Sequence, residues 1–313
     1  MLTGMARSVP RLDCPEVGVN FSYSCVTLYT MIELACHTWS FHDLTLPEAL
    51  GTIARLGFRA VDIGSGSGWN PQQAVRDPGG AAAEIVRDLR VFHLRLSDVF
   101  LMFPRISVAD DEAREREIAA FAALLPFAAA LGTPGITVSP GVLHSAEGGG
   151  AGLDEIAFER SADALKQMVA AANASGLALS FEPHPDTMTP TADDARRMLD
   201  AVPGLGLTLD WANLVYRGAA HETVTSLLPH ARHIHMRQAA RGQLQLASEK
   251  GRIDIKRAVA DTLAAGYDGA ICVELIRLTG RHGVANVNAH REIAALRDGL
   301  RDARNALEKK PRP

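Results

Sequence analysis

A chain of 313 residues with 47% apolar and 22% charged side chains has the make-up of an ordinary globular enzyme or binding domain. The formal net charge of −4 lacks the basic footprint of a nucleic-acid binder, and no apolar run is long and unbroken enough to span a membrane. Four sparse cysteines (Cys14, Cys25, Cys36, Cys272), none in a C-x-x-C pair, read as reduced thiols of a cytoplasmic protein rather than a disulfide framework.

In chain order, residues 1–30 carry no secretory pattern, because Arg7 and Arg11 are followed by Asp13 and Glu16 instead of an apolar segment. We read 1–30 as a non-core extension and 31–313 as a single domain. "IELACHTWS" is the first strand. Thr45 caps a helix with Pro47 and Glu48 in its first turn, and Gly57 closes it. "FRAVDIG" is a buried strand ending near Asp62, and the glycine-rich 64–69 lacks the spacing of a phosphate-binding loop. "VFHLRLS", residues 91–97, is the third strand. A long helix from Asp110 to Ala130 stops at Gly132 and leads into the strand "GITVSPG" and a glycine-rich loop at 141–152 that contains His144. A helix from Asp154 to Ala174 precedes "LALSFEPH", and Thr191 caps a short helix before "GLGLTLDWAN". "HETVTSLLPHA" reads as a helix, "RHIHMRQ" as a strand and "DIKRAVADTLAAG" as the helix before "GAICVEL". A last helix runs from Asn288 to Leu307. Eight strands alternating with helices imply a parallel sheet, and the expected α/β fold is a (β/α)8 TIM barrel, with an open doubly wound sheet as the alternative.

Such barrels carry their chemistry at the C-terminal ends of the strands. The last four strands end in Glu182 and His184, in Asp210 and Asn213, in His233 and His235, and in Glu274. Carboxylates at the ends of apolar strands are costly without a partner. Three converging on one barrel mouth are reconciled by a divalent cation, held by Glu182, Asp210, His235 and Glu274. This hard, oxygen-rich set suits Mn or Mg better than a thiolate zinc site, while Zn, Co and Fe stay open. Residues two apart on a strand share a face, so Glu182 aligns with His184 and His233 with His235, which lies nearer the mouth. His233 fits a core hydrogen-bonding role. The plainer alternatives are Asp210 as the cap of the next turn and Glu274 as the partner of Arg277, while His37 and Trp39 read evenly as pocket lining or as a cover over the barrel.

These endings, together with the run from "HIHMRQ" through "GRIDI" to "GYDGAICVEL", resemble the xylose isomerase-like barrel superfamily of sugar phosphate isomerases and epimerases over residues 31–300. The resemblance implies that Glu182 and Glu274 are the two acid/base carboxylates, that the four ligands hold one metal, and that Arg241 contacts substrate. Asn213 stands where ketose epimerases carry His, and Met188 where they carry a second Glu. The "EPH" motif is more similar to the inositol-catabolism and hydroxypyruvate-isomerase branches. The implied activity is proton abstraction beside the carbonyl of a sugar, inosose or hydroxy-keto acid through an enediolate, by an isomerase or epimerase that acts on a small carbohydrate-like molecule and forms a homo-oligomer in many relatives. An inosose dehydratase-like lyase, an endonuclease IV-like repair enzyme and a non-catalytic sugar-binding barrel are the alternatives. The five lysines, Lys166, Lys250, Lys256, Lys309 and Lys310, all lie away from strand ends, which disfavours a Schiff-base aldolase, and no G-x-S-x-G elbow supports a serine hydrolase.

Overall fold

In a computed structural model that describes residues 32–143, 154–276 and 280–308, apolar strands and amphipathic helices alternate along the chain. The order is β1 (Glu33–His37), α1 (Leu46–Arg55), β2 (Ala60–Gly64), α2 (Pro71–Arg76), α3 (Pro78–Val91), β3 (Arg95–Leu101), α4 (Asp111–Leu131), β4 (Gly135–Val138), α5 (Glu155–Ala174), β5 (Ala178–Phe181), α6 (Ala192–Ala201), β6 (Gly206–Asp210), α7 (Trp211–Tyr216), α8 (His221–Thr225), β7 (Ala231–Met236), α9 (Ile255–Ala264), β8 (Ala270–Val273) and α10 (Ala289–Glu308). The strands pair in parallel in sequence order, and β1 pairs with β8 to close a (β/α)8 barrel. The open-sheet alternative is thereby removed. The proposed extension 1–30, with Cys14 and Cys25, lies outside the described residues, as do His144 and Arg277.

Local signals explain most of the boundaries. Thr45 and Thr191 form capping boxes with Glu48 and Asp194 at the starts of α1 and α6. Asp110 and Asp154 cap α4 and α5 through their carboxylates. Gly57 and Gly132 follow α1 and α4 with φ of 88° and 70°, the left-handed turn that releases the chain toward the next strand.

Several elements depart from the sequence reading: α2 and α3 have no counterpart in it, and residues 211–213, expected in the sixth strand, begin α7. The third strand lies at 95–101 rather than 91–97, because α3 runs to Val91 and the turn after it is made by His93 at φ 53°. A histidine fills the left-handed position where glycine is the recognisable stop signal. The helix expected over "HETVTSLLPHA" is only α8 followed by one 3-10 turn at Leu228–His230, since Pro229 cannot continue an α-helical ladder.

Strand alternation divides the core in two. Leu179, Phe181, Leu207, Leu209, Ile234, Ile271 and Val273 point outward into the apolar layer beneath the helices. The barrel interior is small and polar. Ala35, Ala60, Ala270 and Cys272 form their own cluster, and above them lie Asp62, Asp98, Thr137, Thr208 and His233, all buried. Thr137 and Thr208 share a hydrogen bond of 2.6 Å across this space. Large branched side chains usually fill such a barrel. Here the register instead stacks titratable groups below the mouth, pairing Asp62 with Asp98, Thr208 with His233 and Asp210 with His235.

Asp98 shows the cost of that arrangement. Its Oδ2 is buried without a hydrogen-bond partner among the described residues, and burial pushes the carboxyl up to about 6, against the pull of His233. Its folded value lies above the ordinary 3.8, so the stability it contributes is complete below that pH and is lost as pH rises through about 6. Asp98→Asn removes this dependence. Thermal unfolding at pH 4 and pH 8 should show the variant gaining on the parent by roughly 1–3 kcal/mol at the higher pH. An equal effect at both pH values would show that Asp98 is ionised throughout.

Candidate active site and metal centre

Four side chains predicted from strand ends do converge. One ligand atom from each of Glu182, Asp210, His235 and Glu274 lies within 4.8 Å of the others, and all four residues are buried. Glu182 and Glu274 sit one residue past β5 and β8, while Asp210 and His235 end or nearly end β6 and β7. His235 Nδ1 is 2.7 Å from Glu182 Oε1 and 3.4 Å from Glu274 Oε2. Asp210 serves both of its expected roles on separate oxygens. Its Oδ1 accepts from the Asn213 backbone N–H at 2.9 Å as the cap of α7, and its Oδ2 faces the cluster.

The residue that sequence reasoning missed is Arg237. It is fully buried, and its Nη1 donates to Asp210 Oδ2 at 2.6 Å and to Glu274 Oε2 at 2.9 Å. Its Nη2 donates to Asn213 Oδ1 at 2.7 Å, and Nε reaches the Leu244 carbonyl. The spacing that aligned His233 with His235 also aligns Arg237, two residues further toward the mouth, so a signal was present. With the three carboxylates ionised and His235 neutral, the states in which they ligate a cation, one guanidinium offsets one carboxylate and leaves two negative charges in a buried space. A hard divalent ion matches both that deficit and the oxygen-rich donor set, so the residues fit such an ion.

The carboxylates are driven apart in acidity. Burial and the nearby Glu274 push Glu182 up to about 7. Glu274 is buried as well, but His235 and Arg237 hold it well below the usual carboxylate range. His235 is pulled well above its ordinary value, its burial outweighed by Glu274 and Glu182.

Above this floor opens a cavity of 470 Å³. Glu182, Glu274, His184, Asn213 and Arg237 line its polar side. Trp39, Phe100, Met102, Val142, Leu275 and Ile276 give it a broad apolar wall. Trp39 reaches this position because Gly64 has no side chain. A Cβ there would lie 2.3 Å from the indole Nε1, which donates to the Ser65 carbonyl at 2.9 Å. His37 lies deeper, with its ring centroid 5.5 Å from that of His235. The Trp39 backbone N–H donates to His37 Nδ1 at 3.0 Å, and burial lowers the imidazole to about 4. The neutral ring therefore carries its proton on Nε2, which has no hydrogen-bond partner among the described residues.

His184 accepts from the Asp186 backbone N–H and lines the wall. Asn213 is committed on both sides, since its Nδ2 donates to the Pro183 carbonyl at 2.8 Å while Oδ1 accepts from Arg237. Arg241 is not brought to the cavity; it is exposed and lies beside Gly218. His233 takes the expected core role, 2.6 Å from Asp62 Oδ2.

If Arg237 balances the buried carboxylates, Arg237→Met leaves them uncompensated and should cost about 3–5 kcal/mol of folding stability. Urea denaturation measures this directly. A loss below about 1 kcal/mol would show that the carboxylates do not depend on the guanidinium.

Solved structures place the fold among known barrels. A D-psicose 3-epimerase from Clostridium cellulolyticum H10, solved with D-tagatose, superposes with a TM-score of 0.69 at 15% identity, covering 87% of this chain and 99% of that one. The probable 3-DHS dehydratase AsbF from Bacillus anthracis gives 0.65 at 15% identity, with 90% and 100% covered. A xylose isomerase-like TIM-barrel protein from Mycobacterium smegmatis in complex with magnesium gives 0.64 at 20% identity, with 87% and 97% covered. A comparison with curated protein sequences gives no match. No helix among the described residues is long and apolar enough to cross a membrane. The model of the xylose isomerase-like TIM-barrel family matches residues 50–303, and the chain belongs to that family.

Proposed function

We propose that this protein is a divalent-metal-dependent isomerase or epimerase that moves a proton at the carbon beside the carbonyl of a small hydroxy-ketone, such as a sugar, an inosose or a hydroxy-keto acid. The observation that carries the reading is geometric: Glu182 and Glu274 come from the ends of β5 and β8, both line the cavity floor, and both converge with Asp210 on His235. Two carboxyl groups that flank one cavity floor can serve the two halves of a proton transfer.

Glu182, Asp210, His235 and Glu274 would hold the ion, with Mn or Mg the best match to the donors. When bound, it supplies Lewis-acid polarisation of the substrate oxygens, which lowers the barrier to an enediolate. One carboxyl group of the pair, in its ionised form, takes the α-proton, and the C–H electron pair moves into the enediolate. The other, in its protonated form, returns a proton to the opposite face or to the neighbouring carbon, and the roles exchange in the reverse direction. Neutral His184 on the wall is placed to orient a substrate hydroxyl, while His37 lies buried behind Trp39 and does not line the cavity. The apolar wall around Trp39 and Phe100 excludes water and favours a substrate with one carbon-rich face.

Dehydration begins with the same proton removal and diverges only when a β-hydroxyl leaves. The similarity to a dehydratase fold keeps that outcome as the second reading.

The test is to strip the protein with a chelator, restore Mn, Mg, Co or Zn singly, and incubate it with ketoses, inososes and hydroxypyruvate in deuterated water. Deuterium should enter beside the carbonyl only with metal, and Glu182→Gln or Glu274→Gln should slow entry by about 100-fold or more. Loss of the substrate hydroxyl in the same assay assigns the dehydratase reading. Substrate binding without exchange assigns a sugar-binding barrel and contradicts the catalytic one.

A further inference from the structure

We infer that Asp62 is a positioning residue of the metal centre, which fixes His235 with its proton on Nε2 and its Nδ1 lone pair aimed at the ligand cluster. The inference rests on the proposed metal site and extends it to a strand on which no ligand lies. Asp62 is the middle residue of β2 and is buried inside the barrel. Its Oδ2 is 3.2 Å from His235 Nε2 and 2.6 Å from His233 Nε2. Its Oδ1 accepts from Ser97 Oγ at 2.5 Å. The β2–β3 register brings Ser97 there, because pairing passes from Val61–Leu96 to Asp62–Asp98 and leaves Ser97 as the extra residue of a bulge.

Both ring nitrogens face carboxylates, Nε2 that of Asp62 at 3.2 Å and Nδ1 those of Glu182 and Glu274 at 2.7 and 3.4 Å. Only Nδ1 faces the ligand cluster, so a ligating His235 gives up the hydrogen on Nδ1 and keeps the one on Nε2, donated to Asp62. A carboxylate behind a ligating imidazole holds the ring's orientation and raises its basicity. His233 and Ser97 hold the carboxylate in turn, so three donors from two strands lock Asp62 in place across the barrel interior.

A rival use of the same atoms is a second, deeper cation site, since Asp62, His233, His235 and Cys272 also bring ligand atoms within 4.8 Å of one another. Two imidazole N–H groups already occupy Asp62 Oδ2, and the Cys272 thiol donates to the Val273 carbonyl. These hydrogen bonds favour a positioning role over ligation.

The experiment is Mn2+ titration of the full-length protein and of Asp62→Asn, followed by electron paramagnetic resonance. Side-chain 15N spectra of the histidines in the Mg2+-loaded wild type complete the set. Asp62→Asn should bind Mn2+ about 10–100-fold more weakly, and wild-type His235 should show its proton on Nε2. Unchanged affinity in a folded Asp62→Asn overturns the inference, as does a wild-type spectrum with the His235 proton on Nδ1. That spectrum decides the matter by itself if Asp62→Asn does not fold. A second bound equivalent lost in Cys272→Ala overturns it in favour of the deeper site. Wild-type protein that binds no Mn2+ overturns the metal reading on which the inference rests, whereas binding unaffected by Asp62→Asn removes only the role of Asp62.

Discussion

Three carboxylates, Glu182, Asp210 and Glu274, are held inside one buried barrel mouth, and their mutual repulsion is the constraint that the surrounding structure answers. At such depth no water shell screens them, so every neighbouring group is chosen by charge. Arg237 bridges two of the three, Asn213 holds Arg237 from the side, and His235 faces the third. Arg237 and His235 come from the end of β7 and Asn213 from α7 just after β6, and the parallel register brings these to the level of Glu182 and Glu274. With the carboxylates ionised and His235 neutral, the remaining excess of two negative charges is what a divalent ion would neutralise.

The fold serves this cluster by separating two kinds of core. The apolar layer between sheet and helices, built from outward residues such as Phe181, Leu209 and Ile234, supplies the hydrophobic stabilisation. The barrel interior is thereby free to carry Asp62, Asp98, His233 and two threonines in place of bulky aliphatic side chains. Interior polarity therefore runs from Asp62 and His233 up to the mouth, and His235 touches both levels through Asp62 and Glu182. Gly64 makes the complementary adjustment on the rim, where the missing Cβ lets Trp39 lie against the cavity.

Much of this was legible in the sequence. Glycine stops, threonine and aspartate caps and apolar strands gave the barrel order, and polar residues closing the last four strands gave the four-residue cluster. The misplaced third strand traces to His93, which adopts a glycine-like turn that residue identity does not announce. The overlong helix before β7 traces to Pro229, whose effect was visible but outweighed by the surrounding apolar spacing. Arg237 and Asp62 were within reach of the two-residue strand rule. A guanidinium is ordinarily a surface group and Asp62 sits in mid-strand rather than at a strand end, so residue type and position alone mark neither as part of the site. Their partners lie on other strands, so only the closed barrel shows what they touch. Arg241, read by resemblance alone, stands exposed outside the cavity, because a motif match fixes spacing along the chain but not the path of the loop.

The central claim is that the cluster of Glu182, Asp210, His235 and Glu274 holds one divalent ion. Inductively coupled plasma mass spectrometry after reconstitution with Mn2+ and removal of unbound ion counts the metal directly. The account predicts one equivalent in the wild type and none retained in Asp210→Asn combined with His235→Gln, with the variant still folded by circular dichroism. A folded wild type that retains no metal, or a double variant that retains a full equivalent, would contradict it.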